Sequence, residues 1–492
     1  MKTFGYILIL VSGLAIYSCG GNKLKTDERA LVKQILTEEE QLAHEAELRA
    51  EREKQMADSI AKLPKGFRFK EDRSVDSDYP PVNIDIAGNR ANPQKIKLSH
   101  LFKKVEYIQL EPDPDSSFIV SGFRDIVVGD KHIYGFSFQA GVVQFGLDGK
   151  FIGFVCRNNL PVSRTPDGAP MLMTSDPATK MAWQIFYADG KLCYKYLDRE
   201  TQTTSYYQFD DETDCSETLV LPTLEGAKNE NTPKGIKYAQ FSDKFVSKST
   251  TLYPLTGGMK ALAQNRKPVA EALPFISVLA TKGDTICIFR DSDPIENFSK
   301  HVYRGVDDGN NYYFDQTLHL RQSYNDTIYC LMPPNRLVPK YIFDFGDMGI
   351  PSAYDGVDPG FDLKDKLMLQ SLLETDQYLF ITYSKNYDCP NTAKSGTLKY
   401  SRLIYDKRKG AATLIYVDEA PFVPEGKMTW PSPPEMNIEN DLDAMPFKWP
   451  KYVNAQGKPY SVFSGEVLME ADTTGFPVKK INKNDRIIAI YE

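Results

Sequence analysis

Signatures of common enzyme chemistry are missing from these 492 residues. There is no G-x-x-x-x-G-K-[ST], no H-E-x-x-H and no G-x-S-x-G, which leaves out a P-loop phosphate cradle, a zincin helix and a nucleophile elbow. The five histidines, His44, His100, His132, His301 and His319, show no metal-ligand spacing, and no two cysteines stand as C-x-x-C. Neither a zinc knuckle nor a thioredoxin-type pair is on offer, and no metal or cofactor is expected. Basic residues are outnumbered, 59 Lys and Arg against 66 Asp and Glu, for a net charge of −7. Without a basic face to neutralise phosphates, a nucleic-acid partner is not expected.

Aromatics, in contrast, are plentiful. Tyr (28) and Phe (27) carry most of the 12% aromatic content, a bias that suits half-buried strands better than helices. A short acidic phrase that enters an apolar run recurs along the chain. Asn325-Asp326-Thr327-Ile328-Tyr329 is its clearest copy, and looser copies begin at Asp130, Asp189, Asp243, Asp284, Asp376 and Asp485. Between copies, Tyr134, Phe136 and Phe138 alternate with small residues, and Val143, Phe145 and Leu147 alternate before an Asp148-Gly149 turn. Such a turn joins antiparallel neighbours. One supersecondary unit repeated at long, uneven intervals predicts an all-β body, a six-bladed β-propeller with seven or eight blades as variants. A strand at 105–110 near the start is available to complete the sheet of the last strand, which would remove an open edge.

The first residues have a different character. Lys2 precedes apolar runs at 7–11 and 14–16 that are too short to span a membrane as a mature helix, and Ser18 precedes Cys19. Residues 1–18 are therefore expected to be a signal peptide. Ile16-Tyr17-Ser18-Cys19 resembles the bacterial lipobox, which implies lipidation of Cys19. Because Gly20 rather than Asp follows the cysteine, the resemblance implies anchoring in the outer membrane, on its periplasmic side or at the cell surface. From 23 to 63 there is neither Gly nor Pro, and Glu45 before Arg49 and Asp58 before Lys62 are well-oriented i to i+4 pairs. We expect residues 19–63 to be the lipidated start and a spacer α-helix. Residues 64–95, punctuated by Pro64, Gly66, Pro80, Pro81, Gly88 and Pro93, read as a linker, and 96–492 as the propeller domain. Of the six cysteines after Cys19, Cys193, Cys287 and Cys330 lie in apolar strand runs and are expected to be buried thiols.

The run Leu98-Ser99-His100-Leu101-Phe102-Lys103-Lys104-Val105-Glu106-Tyr107-Ile108-Gln109-Leu110-Glu111 resembles the opening of the six-bladed β-propeller lipoproteins of Bacteroidetes. Pro339-Lys340-Tyr341-Ile342-Phe343-Asp344-Phe345-Gly346, downstream of Asn325, is similar to their internal repeat, and Asn440-Asp441-Leu442-Asp443 with Phe447-Lys448-Trp449-Pro450 to a phrase of one branch. The resemblance implies an envelope lipoprotein and supplies no catalytic residues.

Two constellations are candidates for function. Asp113 with Asp115, Asp291 with Asp293 and Asp441 with Asp443 are paired carboxylates in loops, able in principle to bind Ca²⁺ or to act on a glycosidic bond. Turn-forming, solvated Asp is the simpler reading of each. Trp430, Trp449 and Tyr452 concentrate aromatics in a Pro-rich stretch late in the domain, where flat rings can stack on a sugar or a peptide, or plug the gap between blades. The leading expectation is a non-enzymatic outer-membrane lipoprotein that binds a glycan, a peptide or an envelope partner. The alternative is an enzyme acting on polysaccharide or a lactone through carboxylates at the propeller channel mouth.

Overall fold

Strands dominate because the alternating apolar runs each meet a tight turn before they can lengthen into anything else. The computed structural model describes residues 47, 51, 55, 62, 64, 67–75, 79–90, 93–111, 122–158, 162–164, 170–172, 180–188, 190–198, 200, 203–213, 215–219, 236–241, 245–250, 274–280, 285–290, 312–314, 317–321, 326–332, 335–349, 364–386, 400–417, 437–470, 474–478 and 480–492. The chain divides into two units, Met1–Phe67 and Arg68–Glu492. In the first, Glu47, Glu51 and Gln55 are helical and the Gln55 amide donates to Glu51 over 3.3 Å. Lys62, near the end of the expected spacer helix, is in a turn; the signal peptide, Cys19 and the rest of that segment lie outside the described residues.

The second unit is all-β. Among the described residues six larger sheets follow one another along the chain. The first joins Asp125–Val128, His132–Ser137, Gly141–Gly146 and Phe151–Arg157, and the second Lys180–Ala188, Lys191–Asp198, Thr203–Asp210 and Cys215–Leu219. Ile236–Phe241, Phe245–Thr250, Pro274–Ala280 and Thr285–Arg290 make the third. Tyr312–Phe314, Thr317–Arg321, Thr327–Met332 and Arg336–Asp344 make the fourth, and Leu367–Glu374, Tyr378–Lys385, Tyr400–Asp406 and Ala411–Tyr416 the fifth. All of these neighbours are antiparallel. The recurring acidic phrase opens the second strand in the first, second, third and fifth sheets, where the Gly129 amide donates to the His132 carbonyl and the Thr375 amide to the Tyr378 carbonyl, both over 2.9 Å.

The sixth sheet is assembled from both ends of the body. Tyr452–Val453, Pro459–Ser464 and Arg486–Tyr491 are followed in space by Val105–Gln109, with Tyr491 opposite Val105 and Ile487 opposite Gln109. Strand 486–491 is buried on both faces. Ile487, Ala489 and Tyr491 pack with Phe380 and Ile404 of the fifth sheet, whereas Ile488 and Ile490 pack with Ile126, Val143 and Phe145 of the first. The pleat thus sends alternate side chains into two separate cores.

The cores among the described residues lie between consecutive sheets. Tyr134, Phe136 and Val142 of the first sheet meet Leu192, Tyr194 and Phe209 of the second, and Phe343 of the fourth meets Leu379 and Ile381 of the fifth. Tyrosine hydroxyls tie some of these junctions. Tyr134 donates to Asp211, and Tyr312 and Tyr341 donate to Glu374 over 2.7 and 2.6 Å. Gly149 fastens the first sheet to the sixth: its φ is +84°, a Cβ there would sit 2.1 Å from the Gln109 carbonyl oxygen, and its own carbonyl accepts the Glu111 amide. Glycine is required by conformation and by space together.

The segment expected as a linker, 64–95, differs from that expectation. Val82–Asp85 adds a parallel fifth strand to the fourth sheet against Tyr341–Asp344, and Ile84 and Ile86 are buried in the core shared with the fifth sheet. Apolar residues at 82, 84 and 86 alternate as in any half-buried strand, but the flanking prolines and glycine hide a run this short. Cys193, Cys287 and Cys330 are buried, as their strand contexts implied.

Candidate functional site

The first strands of the sixth and first sheets flank a cavity of about 200 Å³. Phe123, Arg124 and Ile126 line it from the first sheet. Lys448, Trp449, Lys451 and Tyr452 line it from the segment that enters the sixth, with Ser464 and Arg486 paired across its inner strands. Four of these side chains are cationic, and none is Asp, Glu or His.

Tyr491 sets the position of Lys448. Its hydroxyl donates to the Lys448 carbonyl over 2.7 Å and accepts from the Lys448 amide and, over 2.9 Å, from the Ser461 hydroxyl. The Lys448 ammonium then donates to the Val462 carbonyl over 2.6 Å and lies 5.5 Å from the centre of the Phe463 ring. Burial, followed by the charges of Lys451 and Arg486, pushes its pKa down to about 8. Burial also lowers the Arg486 guanidinium, with Glu466 opposing, and Glu466 is itself paired with Lys483 over 2.9 Å. Arg124 is exposed and stands 5.3 Å from the centre of the Phe138 ring. The nearby carboxyl of Asp125 is raised by burial, with Arg124 opposing.

Among the residues singled out from sequence, Trp449 and Tyr452 come together at this cavity; Trp430 lies outside the described residues. Trp449 is largely buried, edge-on to Phe380 at 5.3 Å, with the Arg402 guanidinium 5.6 Å from its ring. Tyr452 stacks on Tyr460 at 5.2 Å, and Tyr460 donates to the Ile126 carbonyl. One face of the Tyr452 ring is thereby covered, and its hydroxyl pKa is raised by burial and then by Asp125. The cationic lining was not singled out from sequence. Lys448 and Lys451 were visible as basic residues interleaved with the Phe447, Trp449 and Tyr452 rings, but nothing local marks Arg124 or Arg486.

Asp441 and Asp443 have structural partners. Asp441 accepts the amide and hydroxyl of Ser99, which together lower its pKa. Asp443 accepts the Tyr107 hydroxyl at 3.0 Å, the Asn440 amide at 2.7 Å and the Met445 amide at 2.8 Å. They lock the 437–445 loop onto the start of the domain, where Ile96–Lys97 pairs in parallel with Ile438–Glu439. Asp113, Asp115, Asp291 and Asp293 lie outside the described residues. Among the described residues no group of three or more His, Cys, Asp or Glu is placed to hold a metal ion.

The depressed Lys448 pKa carries a stability signature. Between about pH 8 and the unfolded-state value of 10.5, the unfolded chain holds a proton that the folded chain has released. Linkage then makes this lysine's contribution more favourable as pH rises through that window and less favourable as pH falls through about 8. In denaturant titrations at pH 7.5 and 10, the stability difference between Lys448→Met and wild type is expected to favour the variant more at pH 7.5. An identical difference at both pH values would show that Lys448 is not desolvated.

No helix among the described residues is long and apolar enough to cross a membrane. Two solved structures are similar over most of their length. One, a putative exported protein from Bacteroides fragilis, has a TM-score of 0.48 and 12% identity, covering 84% of this chain and 99% of that one. The other, a member of the DUF4221 family from Bacteroides vulgatus, has a TM-score of 0.30 and 10% identity, covering 80% and 97%. No curated protein matches the chain. The family model described as a domain of unknown function, DUF4933, matches residues 64–473, and the chain belongs to that family.

Proposed function

We propose that this protein is an outer-membrane lipoprotein, anchored through Cys19, whose six sheets form a six-bladed β-propeller that binds a glycan, a peptide or an envelope partner. Support for the ring comes from the order of the cores: first with second, fourth with fifth, fifth with sixth, and sixth back to first. A sheet completed by strands from both ends of the body is the usual device for closing such a ring without an open edge. Support for the anchor comes from the lipobox-like Ile16-Tyr17-Ser18-Cys19.

The observation that carries the binding reading is the cavity at the junction of the first and sixth sheets, where Trp449 and Tyr452 stand among four cations with no acidic lining. Pockets with apolar walls and a few convergent polar groups are the usual form of a small-ligand site. The full-length lipidated protein in detergent, applied to glycan and peptide arrays, tests it. Retention of one ligand class, lost in Tyr452→Ala while that variant still unfolds in one cooperative transition, is the expected result. No retention above background for either class would overturn the binding reading. For the anchor, palmitate labelling is expected in wild type and absent in Cys19→Ser.

A further inference from the structure

We propose that this cavity seats an oxyanion, a carboxylate or a sulfate, carried on a ligand about the size of one sugar ring. The inference rests on the binding reading above and names the ligand class. Three chain segments that are far apart in sequence supply the charge: Arg124, the Lys448 and Lys451 pair, and Arg486. Gathering like charges beside apolar walls costs free energy, because each cation disfavours the charged form of the next. Lys451 and then Arg486 act on Lys448 in this way. A bound anion reverses the sign of that interaction, and the low-dielectric walls formed by Phe123, Ile126 and Val462 strengthen it.

Among the described residues no carboxylate lines the cavity. Asp441 is held by Ser99, Asp443 by Tyr107 and Asn440, Asp125 stands beside Arg124, and Glu466, paired with Lys483, acts on Arg486 from outside the lining. The volume of about 200 Å³ sets the size of the ligand, and the half-buried ammonium of Lys448, directed by its bond to the Val462 carbonyl, sets one contact point. Arginine and lysine differ here in use. The guanidinium groups can grip two oxygens at once, whereas the ammonium acts as a point charge.

Calorimetric titration of the full-length protein with D-glucuronate, N-acetylglucosamine 6-sulfate and neutral methyl glucoside provides the test. At least one acidic probe is expected to bind at least about tenfold more tightly than the neutral one, and added salt is expected to weaken it. Whichever acidic probe binds identifies the group as carboxylate or sulfate. Lys448→Met and the exposed Lys451→Ala are each expected to weaken that probe, with Lys451→Ala guarding against a folding defect in the other. Equal binding of the neutral probe, no binding of either acidic probe, or unchanged affinity in both variants would overturn the proposal. If the arrays retain a neutral glycan or a peptide while the acidic probes fail, the binding reading survives and only this inference falls; if the arrays are also blank, both fall.

Discussion

Deletion of residues 486–492 is expected to yield no cooperatively folded protein. Ile487, Ile488, Ile490 and Tyr491 are all at most 5% exposed, and burying four side chains of that size contributes about 6–12 kcal/mol. Net stabilities of folded proteins are about 5–15 kcal/mol, so the loss is comparable with the whole. The strand is also interior to its sheet. Its removal strips the Val105–Gln109 strand and the Pro459–Ser464 strand of their shared partner, and frees the Lys448 peptide from the Tyr491 hydroxyl. The check is a chemical denaturation curve of the truncated chain beside wild type. A sigmoidal transition with an unchanged midpoint would mean that the two ends do not close the body together.

Glu374→Ala is expected to cost about 3–5 kcal/mol, the range for removing one partner of a buried ion pair. The Glu374 side chain has no exposed surface and accepts from Tyr312, Tyr341 and, over 3.0 Å, the Lys407 ammonium. Tyr312 and Tyr341 come from the fourth sheet and Lys407 from the fifth, so the carboxylate joins two sheets through three donors. Lys407 also lies 4.0 Å from the centre of the Phe314 ring, and His319 stacks on Tyr312 at 4.9 Å. Without the carboxylate, two tyrosine hydroxyls and a mostly buried ammonium lose their acceptor. Glu374→Gln keeps an acceptor oxygen but not the charge, and its loss is expected to be about half as large. Urea midpoints of the two variants measure this. A Glu374→Ala midpoint within error of wild type would remove the cluster from the account of what holds these sheets together.

The strand pattern was legible because burial on one face leaves a period-two trace in the chain, and burial on both leaves a short continuous apolar run. Residues 132–137, 141–146 and 486–491 could be read directly, as could the Asp148-Gly149 turn. Residues 82–86 have the same alternation, but Pro80, Pro81 and Gly88 frame it so closely that it reads as punctuation. Its partner, Tyr341–Asp344, lies more than 250 positions away, and no local signal names it. The candidate site divides in the same way. Trp449 and Tyr452 stood out as large rings in a Pro-rich stretch, whereas their buried packing against Phe380 and Tyr460 depends on neighbours from other strands.

By itself, the amino-acid order determined that this is a strand-rich chain with acidic turns, aromatic cores and a lipobox-like start, because turns and pleats are set by residues within a few positions of one another. The sequence offered the 105–110 strand as a partner for the last one, but the tertiary structure alone decided their register, Tyr491 opposite Val105 and Ile487 opposite Gln109, and that Arg124, Lys448, Lys451 and Arg486 face one cavity. The reason is that long-range register is chosen by which buried faces fit, and charges hundreds of residues apart meet only after that choice has been made.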